Sequence, residues 1–212
     1  MIAALATALF VRKLGKVEYP ESLSAMRKFT AERDEDTPDE LWVLEHPPVY
    51  TLGQGADAAH APDSDTGIPV VRVERGGEVT YHGPGQVVIY TLVDLARREI
   101  KVREYVRMLE QCVIDLLAAR GVAAERKAGA PGVYVGGAKV AALGIRVSRG
   151  CALHGLALNV DLDLAPFGAI DPCGYPGLAV TRTHDLGIVA GPDDLGIDLA
   201  RRIAGKLELN HA

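Results

Sequence analysis

A single cysteine, Cys173, stands in the stretch Ile170-Asp171-Pro172-Cys173-Gly174-Tyr175-Pro176-Gly177, and a lysine, Lys139, stands in Gly136-Gly137-Ala138-Lys139-Val140-Ala141-Ala142-Leu143-Gly144. The chemistry open to such a pair is nucleophilic, because an accessible thiol near a positive group acts as a thiolate. Two prolines and two glycines keep residues 170–177 out of a helix or central strand, since proline lacks the N–H and glycine permits φ values that other residues avoid. Cys173 is therefore expected on a loop. The bland alternative is a small buried filler, the usual condition of a free cysteine. If residues 139–147 form a regular strand, Lys139 shares an apolar face with Ala141, Leu143, Ile145 and Val147. A lysine there would exchange one proton with a neighbouring thiolate; a lysine at a strand end can also simply reach out to water.

Two further stretches have compositions suited to a ligand. Arg75-Gly76-Gly77-Glu78-Val79-Thr80-Tyr81-His82-Gly83-Pro84-Gly85-Gln86 sets four glycines and a proline around an extended segment. Glycines so placed let another backbone or a ligand approach closely, and free N–H groups can cradle a polar head. A pair of β-turns is the plain reading. His82 is a candidate to bind a carbonyl, to act as a base, or to satisfy buried backbone groups. In His154-Gly155-Leu156-Ala157-Leu158-Asn159 the alternation places Gly155 and Ala157 on one side of a strand and Leu156 and Leu158 on the other. A small-residue groove beside Ala142 and Gly144 would admit an unbranched aliphatic chain; close helix packing would need the same residues.

The elements that must hold these residues read as follows. Residues 7–14 predict a strand, Pro20 and Glu21 open a helix to about Arg33, and residues 31–40 form a charged loop. The apolar run 41–44 predicts a buried strand, and residues 46–53 an extended piece after two prolines. Residues 56–67 read as a solvated loop. Residues 69–73, 78–81 and 86–92 read as antiparallel strands of one sheet. Apolar residues at spacings of three and four across 97–120 predict the clearest helix, stopped by Gly121, with Cys112 in its core stripe. Residues 133–135, 139–147 and 152–160 predict strands, the last two joined at Ser148-Arg149-Gly150. Leu195, Leu199, Ile203 and Leu207 predict a final helix over one face of the sheet.

Composition narrows the function classes. The chain has 212 residues, 5% aromatic content and a formal charge of −5. That length suits one domain with an aliphatic core. The acidic balance argues against nucleic-acid binding, which needs a basic stripe. Three cysteines without a C-x-x-C spacing suit a reducing cytoplasm and no disulfide framework. No His/Cys set at ligand spacing predicts a metal site. The apolar start is interrupted by Arg12-Lys13 too early for a membrane span, so a cytoplasmic location is expected.

Residues 75–86, 139–144, 154–159 and Pro172-Cys173-Gly174, with His46-Pro47-Pro48-Val49-Tyr50-Thr51-Leu52-Gly53 upstream, resemble in order and interval the signature segments of the octanoyltransferases of lipoate assembly, the lipoyl(octanoyl) transferase family. The likeness runs from about residue 41 to 187. It implies an α/β (α+β) fold with a mixed, largely antiparallel sheet flanked by helices, as in biotin and lipoate protein ligases. It implies a cofactor-free acyltransferase in which Cys173 takes the acyl group as a thioester and Lys139 lowers the thiol pKa and handles its proton. It also implies substrate contacts from Arg75, Gly76, Gly77, Glu78, Val79, Thr80, Tyr81 and His82, from Ala142, Leu143 and Gly144, and from Gly155, Leu156 and Ala157. The implied donor is octanoyl-acyl carrier protein. The implied acceptors are lipoyl domains of 2-oxoacid dehydrogenase complexes and the glycine cleavage H protein. Tyr175-Pro176 and Arg182 depart from the pattern. An ATP-dependent ligase and a non-catalytic scaffold on the same fold are the other readings. Because the implied protein partners are acidic, a local basic patch is expected to dock the carrier: either Arg97, Arg98, Lys101, Arg103 and Arg107, or Arg146 and Arg149.

Overall fold

A computed structural model describes residues 8–57, 62, 66–171 and 177–209. Among these residues ten strands and three α-helices follow one another as β1 (Leu9–Lys16), α1 (Tyr19–Glu32), β2 (Asp39–Glu45), β3 (Val49–Leu52), β4 (Val70–Arg72), β5 (Val79–His82), β6 (Gln86–Leu92), α2 (Val102–Ala118), β7 (Glu125–Lys127), β8 (Ala130–Val135), β9 (Ala138–Ser148), β10 (Cys151–Asn159) and α3 (Pro192–Leu209). Seven strands form the main sheet in the order β1-β2-β6-β10-β9-β8-β7, and β4-β3-β5 form a small one. Only β1 with β2, and β3 with β4, run parallel, so the mixed and largely antiparallel fold is the one expected.

Helices α2 and α3 cover one face of the main sheet. Leu109, Val113, Leu116 and Leu117 of α2 and Leu195, Leu199, Ile203 and Leu207 of α3 pack with Val43, Ile89, Val133 and Leu158 in one buried cluster. Each such side chain removed from water contributes about 1.5–3 kcal/mol before chain entropy is counted. Helix α1 covers part of the other face, where Leu23 and Met26 meet Trp42, Val88 and Ala157. Cys112 lies in the helical core, fully buried, and burial pushes its thiol up to about 11.

Three expectations are corrected. The strands at 69–73, 78–81 and 86–92 belong to two sheets, because β6 joins β2 and β10 while β4 and β5 flank β3. The helix expected over 97–120 begins at Val102; residues before it form a turn in which Glu99 has φ 54. Strand β2 begins at Asp39 inside the segment read as a loop. The reason is electrostatic. Asp39, wholly buried, accepts from Arg33 (2.5 Å), Arg97 (3.0 Å) and the Asp94 N–H (2.9 Å) on one oxygen, and from Arg98 Nε (2.5 Å) on the other. A charge so thoroughly paired is tolerated in the interior, whereas removing one partner typically costs about 3–5 kcal/mol. No helix among the described residues is long and apolar enough to cross a membrane.

Candidate active site

Lys139 owes its position to a bulge. Strands β8 and β9 pair Tyr134 with Lys139 but Val133 with Ala141, so Val140 is an extra residue on β9. Val140 and Ala141 consequently both enter the helical core, and the alternation that would have put Lys139 with Ala141 and Leu143 is broken. Lys139 instead joins Ala142 and Gly144 on the opposite face. Its side chain, almost wholly buried, crosses Gly132 and passes over the Tyr134 ring at 5.2 Å, and Nζ donates to Pro131 O at 3.0 Å. A Cβ on Gly132, whose φ is 143, would lie 2.8 Å from Ala141 O and 2.9 Å from Lys139 Cε, which is why glycine stands there.

From Gly132 a trough of small residues runs across the sheet. Register aligns Gly132, Ala142, Ala157 and Val88 in one row, and Gly144, Gly155 and Tyr90 in the next. The β9–β10 hairpin that sets this register turns at Arg149 and Gly150, both at positive φ (50 and 82) as a two-residue type I′ turn requires. Gly155 is obligatory for a second reason, since a Cβ there would fall 2.1 Å from Ile89 O. The resulting slot has an inner volume of about 50 Å³, or about 510 Å³ with its open mouth.

The glycine-rich segment roofs the slot. Gly76 N–H donates to Ile145 O (2.9 Å), Gly53 N–H to Glu78 O (3.2 Å), and Arg75 Nη2 to Thr51 O and Oγ1 (2.8 Å each), pinning the roof to β9 and β3. Arg75, Gly77, Glu78, Val79, Thr80 and His82 line the slot, as do Ala142, Leu143, Gly144, Gly155, Leu156 and Ala157. Gly76 instead lines the neighbouring depression. Tyr81 packs away from the slot against Tyr50 and Phe167.

One end of the slot is aromatic and polar, and of its residues the sequence singled out His82 but neither Tyr19 nor Tyr90. Tyr19, Tyr90, His82 and His154 meet there. His46 donates from Nδ1 to Val17 O (2.6 Å) and accepts from the Tyr90 hydroxyl at Nε2 (2.7 Å). His82 donates from Nδ1 to Gln86 Oε1 (2.7 Å), and Gln86 Nε2 donates to Asn159 Oδ1 (3.0 Å) and Tyr81 O. Asn159 in turn donates to Thr181 O (3.0 Å). His82 is therefore bonded as a framework residue under the slot. His154 reaches the slot because its backbone is left-handed, φ 63, which turns the ring toward Tyr90 and Glu74. Neither of its ring nitrogens has a hydrogen-bond partner among the described residues. A left-handed non-glycine residue costs on the order of 1–3 kcal/mol, and such strain gathers at functional sites.

Near neutral pH, burial keeps His46, His82 and His154 uncharged in the folded protein. Burial pushes His46 down to about 4 and His82 to about 3, and it outweighs the Glu74 carboxylate in holding His154 at about 4. In the unfolded chain each titrates near 6.5, so between pH 6.5 and about 4 the unfolded state binds protons that the folded state refuses. Stability is expected to be complete above pH 6.5 and to fall as pH drops through this window, by up to about 3 kcal/mol per histidine. Urea midpoints measured from pH 7 to 4.5 check this, and a flat profile contradicts it.

Cys173 lies outside the described residues. The chain returns at Gly177, and the segment after it is tied to Lys139 on both sides: Lys139 N–H donates to Ala179 O (2.8 Å) and Thr181 N–H to Lys139 O (2.9 Å). Arg182, unexpected in the pattern, bonds Leu162 O and Asp185. Of the basic residues considered for docking, Arg97 and Arg98 are bound to Asp39, and Arg149 donates to the α1 carbonyls of Thr30 and Ala31. Those three hold the fold together.

Comparison with known proteins identifies the family and the fold. The pattern of the lipoyl protein ligase A/B catalytic domain matches residues 18–185. The chain is 60% identical to an octanoyltransferase of Azoarcus sp. over 88% of its length and 82% of the relative's. It is 56% identical to one of Dechloromonas aromatica over 93% and 96%. Among solved structures it is similar in fold to a lipoate-protein ligase A bound with ATP (TM-score 0.78, 17% identity, 95% of this chain and 85% of that one). It is also similar to a putative lipoate protein ligase from T. acidophilum with bound lipoic acid (TM-score 0.76, 18% identity, 95% and 86%).

Proposed function

The chain belongs to the lipoyl protein ligase A/B catalytic-domain family and, within it, to the octanoyltransferases, and from that premise we propose that it moves an octanoyl group from octanoyl-acyl carrier protein to a lysine amine of a lipoyl domain through a thioester on Cys173. Residues 1–212 act as a single catalytic domain in this reading. The observation that carries it is the slot. From β9 to β6 it crosses two strand spacings, about 10 Å, which is close to the length of an extended eight-carbon acyl chain. Its walls are small and apolar in the middle, and the buried amine of Lys139 stands at the β8 end.

The chemistry then needs no ATP. The Cys173 thiolate attacks the donor thioester carbonyl, the carrier thiolate leaves, and a proton returned from Lys139 keeps it from attacking back. The incoming lysine amine of the acceptor next attacks the Cys173 thioester, an amide forms, and the Cys173 thiolate departs while the amine proton passes to Lys139. Each half-step exchanges a leaving group of similar or better stability, and the two large partners visit in turn. Acceptors of this reading are the lipoyl domains of 2-oxoacid dehydrogenase complexes and the glycine cleavage H protein.

Donor dependence tests it. The purified protein is expected to acylate a lipoyl domain with octanoyl-carrier as donor and without nucleotide. Acylation from free octanoate that requires ATP would assign it to the ligases instead, and no acylation from either donor would leave it a scaffold.

A further inference from the structure

From the slot a groove leads outward. The slot shares Gly77, Glu78, Leu143 and Gly144 with a depression of about 440 Å³ beside the roof. That depression shares Val106, Gly129 and Pro131 with a broader one of about 710 Å³ between α2 and the β7–β8 hairpin. The path exists because β8 pairs with β9 only as far as Ala142, leaving the edge of β9 beyond it open between the roof and α2. Pro131, whose carbonyl accepts from Lys139 Nζ, borders both outer depressions. A continuous route therefore joins the slot to the N-terminal half of α2, passing Pro131, whose carbonyl holds the Lys139 amine.

The outer end of that route is basic. Arg103 and Arg107, one turn apart on α2, face it with Arg126 and Lys127 of β7. Its one carboxylate, Glu110, is occupied by Arg126 Nε (3.0 Å) and the Gly132 N–H (3.0 Å). Lys127 donates to Gly137 O and lies over the Tyr134 ring at 4.5 Å. The side chains of Arg103 and Arg107 are exposed and have no hydrogen bond or ion pair among the described residues, while the Arg107 carbonyl accepts from Arg126 Nη2 (2.9 Å). With Arg126 balancing Glu110, Arg103, Arg107 and Lys127 leave a local positive patch on a chain of net charge −5. Exposed Val102 beside it offers an apolar contact.

Resting on the octanoyl-transfer reading, we infer that this groove is the docking surface for the acyl donor, a carrier that presents its thioester on a long arm joined through a phosphodiester to an acidic protein surface. The arm lies in the groove with the thioester at Lys139. Its phosphodiester and the carrier's carboxylates meet Arg103, Arg107, Arg126 and Lys127. Charge of this kind acts on encounter and on KM more than on the chemical step.

The test compares two donors on wild type and on the double variant Arg103→Glu/Arg107→Glu: octanoyl-carrier, and octanoyl-N-acetylcysteamine, a small thioester with neither phosphate nor carrier. The variant is expected to raise KM for the carrier donor about tenfold or more and to flatten its dependence on salt, with kcat/KM for the small thioester unchanged. An unchanged carrier KM overturns the inference, as does a rise confined to the KM of the acceptor domain, which would assign the patch to the other partner. If charge reversal also impairs the small donor, Arg103→Gln/Arg107→Gln decides on the same readouts. Wild type failing with both donors would remove the transferase reading itself, a result distinct from any of these.

Discussion

Cys173→Ala is expected to abolish octanoyl transfer, and Cys173→Ser to leave a trace. In the proposed reaction the sulfur is both the first nucleophile and the second leaving group, so its loss removes the shared intermediate rather than slowing one step. A serine hydroxyl is a far weaker nucleophile at neutral pH, and the ester it forms gives up its acyl group to an amine less readily than a thioester. The measurement is the rate of acylation of a lipoyl domain, with circular dichroism to establish that the fold is kept. Transfer by Cys173→Ala at more than a few per cent of the wild-type rate would mean direct attack by the acceptor amine on the carrier thioester.

Lys139→Met is expected to slow acylation of Cys173 by about 10²–10⁴, the range a positioned acid or base contributes. Methionine keeps an apolar stem over Gly132 and the Tyr134 ring, so the fold is expected to be kept, at a cost that includes the lost bond to Pro131 O, about 1 kcal/mol. The pair of results matters. A slow, stable variant supports a proton role, whereas wild-type acylation would send the proton elsewhere. His82, the other candidate in the sequence, is poorly placed to receive it because Gln86 holds its Nδ1 and burial keeps it neutral.

Much of this arrangement was legible in the residues. Alternation in 154–159 and small residues in 142–144 are local patterns, and the β9–β10 hairpin between them turns where Arg149 and Gly150 lie, so the groove followed from short-range signals. The face of Lys139 was not legible. It depends on one extra residue at Val140, and a bulge is decided by the partner strand rather than by the strand that carries it. Asp39 illustrates the same limit: an aspartate next to a proline reads as loop until three arginines, two of them nearly sixty positions away, are seen around it. Those arginines also explain why charge clusters in sequence made poor guides to docking. Arg97 and Arg98 looked like a basic patch with Arg103 and Arg107, but folding turns the first pair inward and leaves the second pair on the groove. The polar end of the slot was hidden for another reason. His154 enters it through a left-handed φ that its alternation pattern contradicts, and Tyr19 arrives from a helix with no motif of its own.

The most direct measurement is the mass of the intact protein after incubation with octanoyl-carrier and no acceptor. A single added octanoyl group is expected, located at Cys173 by peptide mapping, removed by hydroxylamine and discharged when a lipoyl domain is supplied. Turnover without any adduct, or an octanoyl group on a residue other than Cys173, would contradict it.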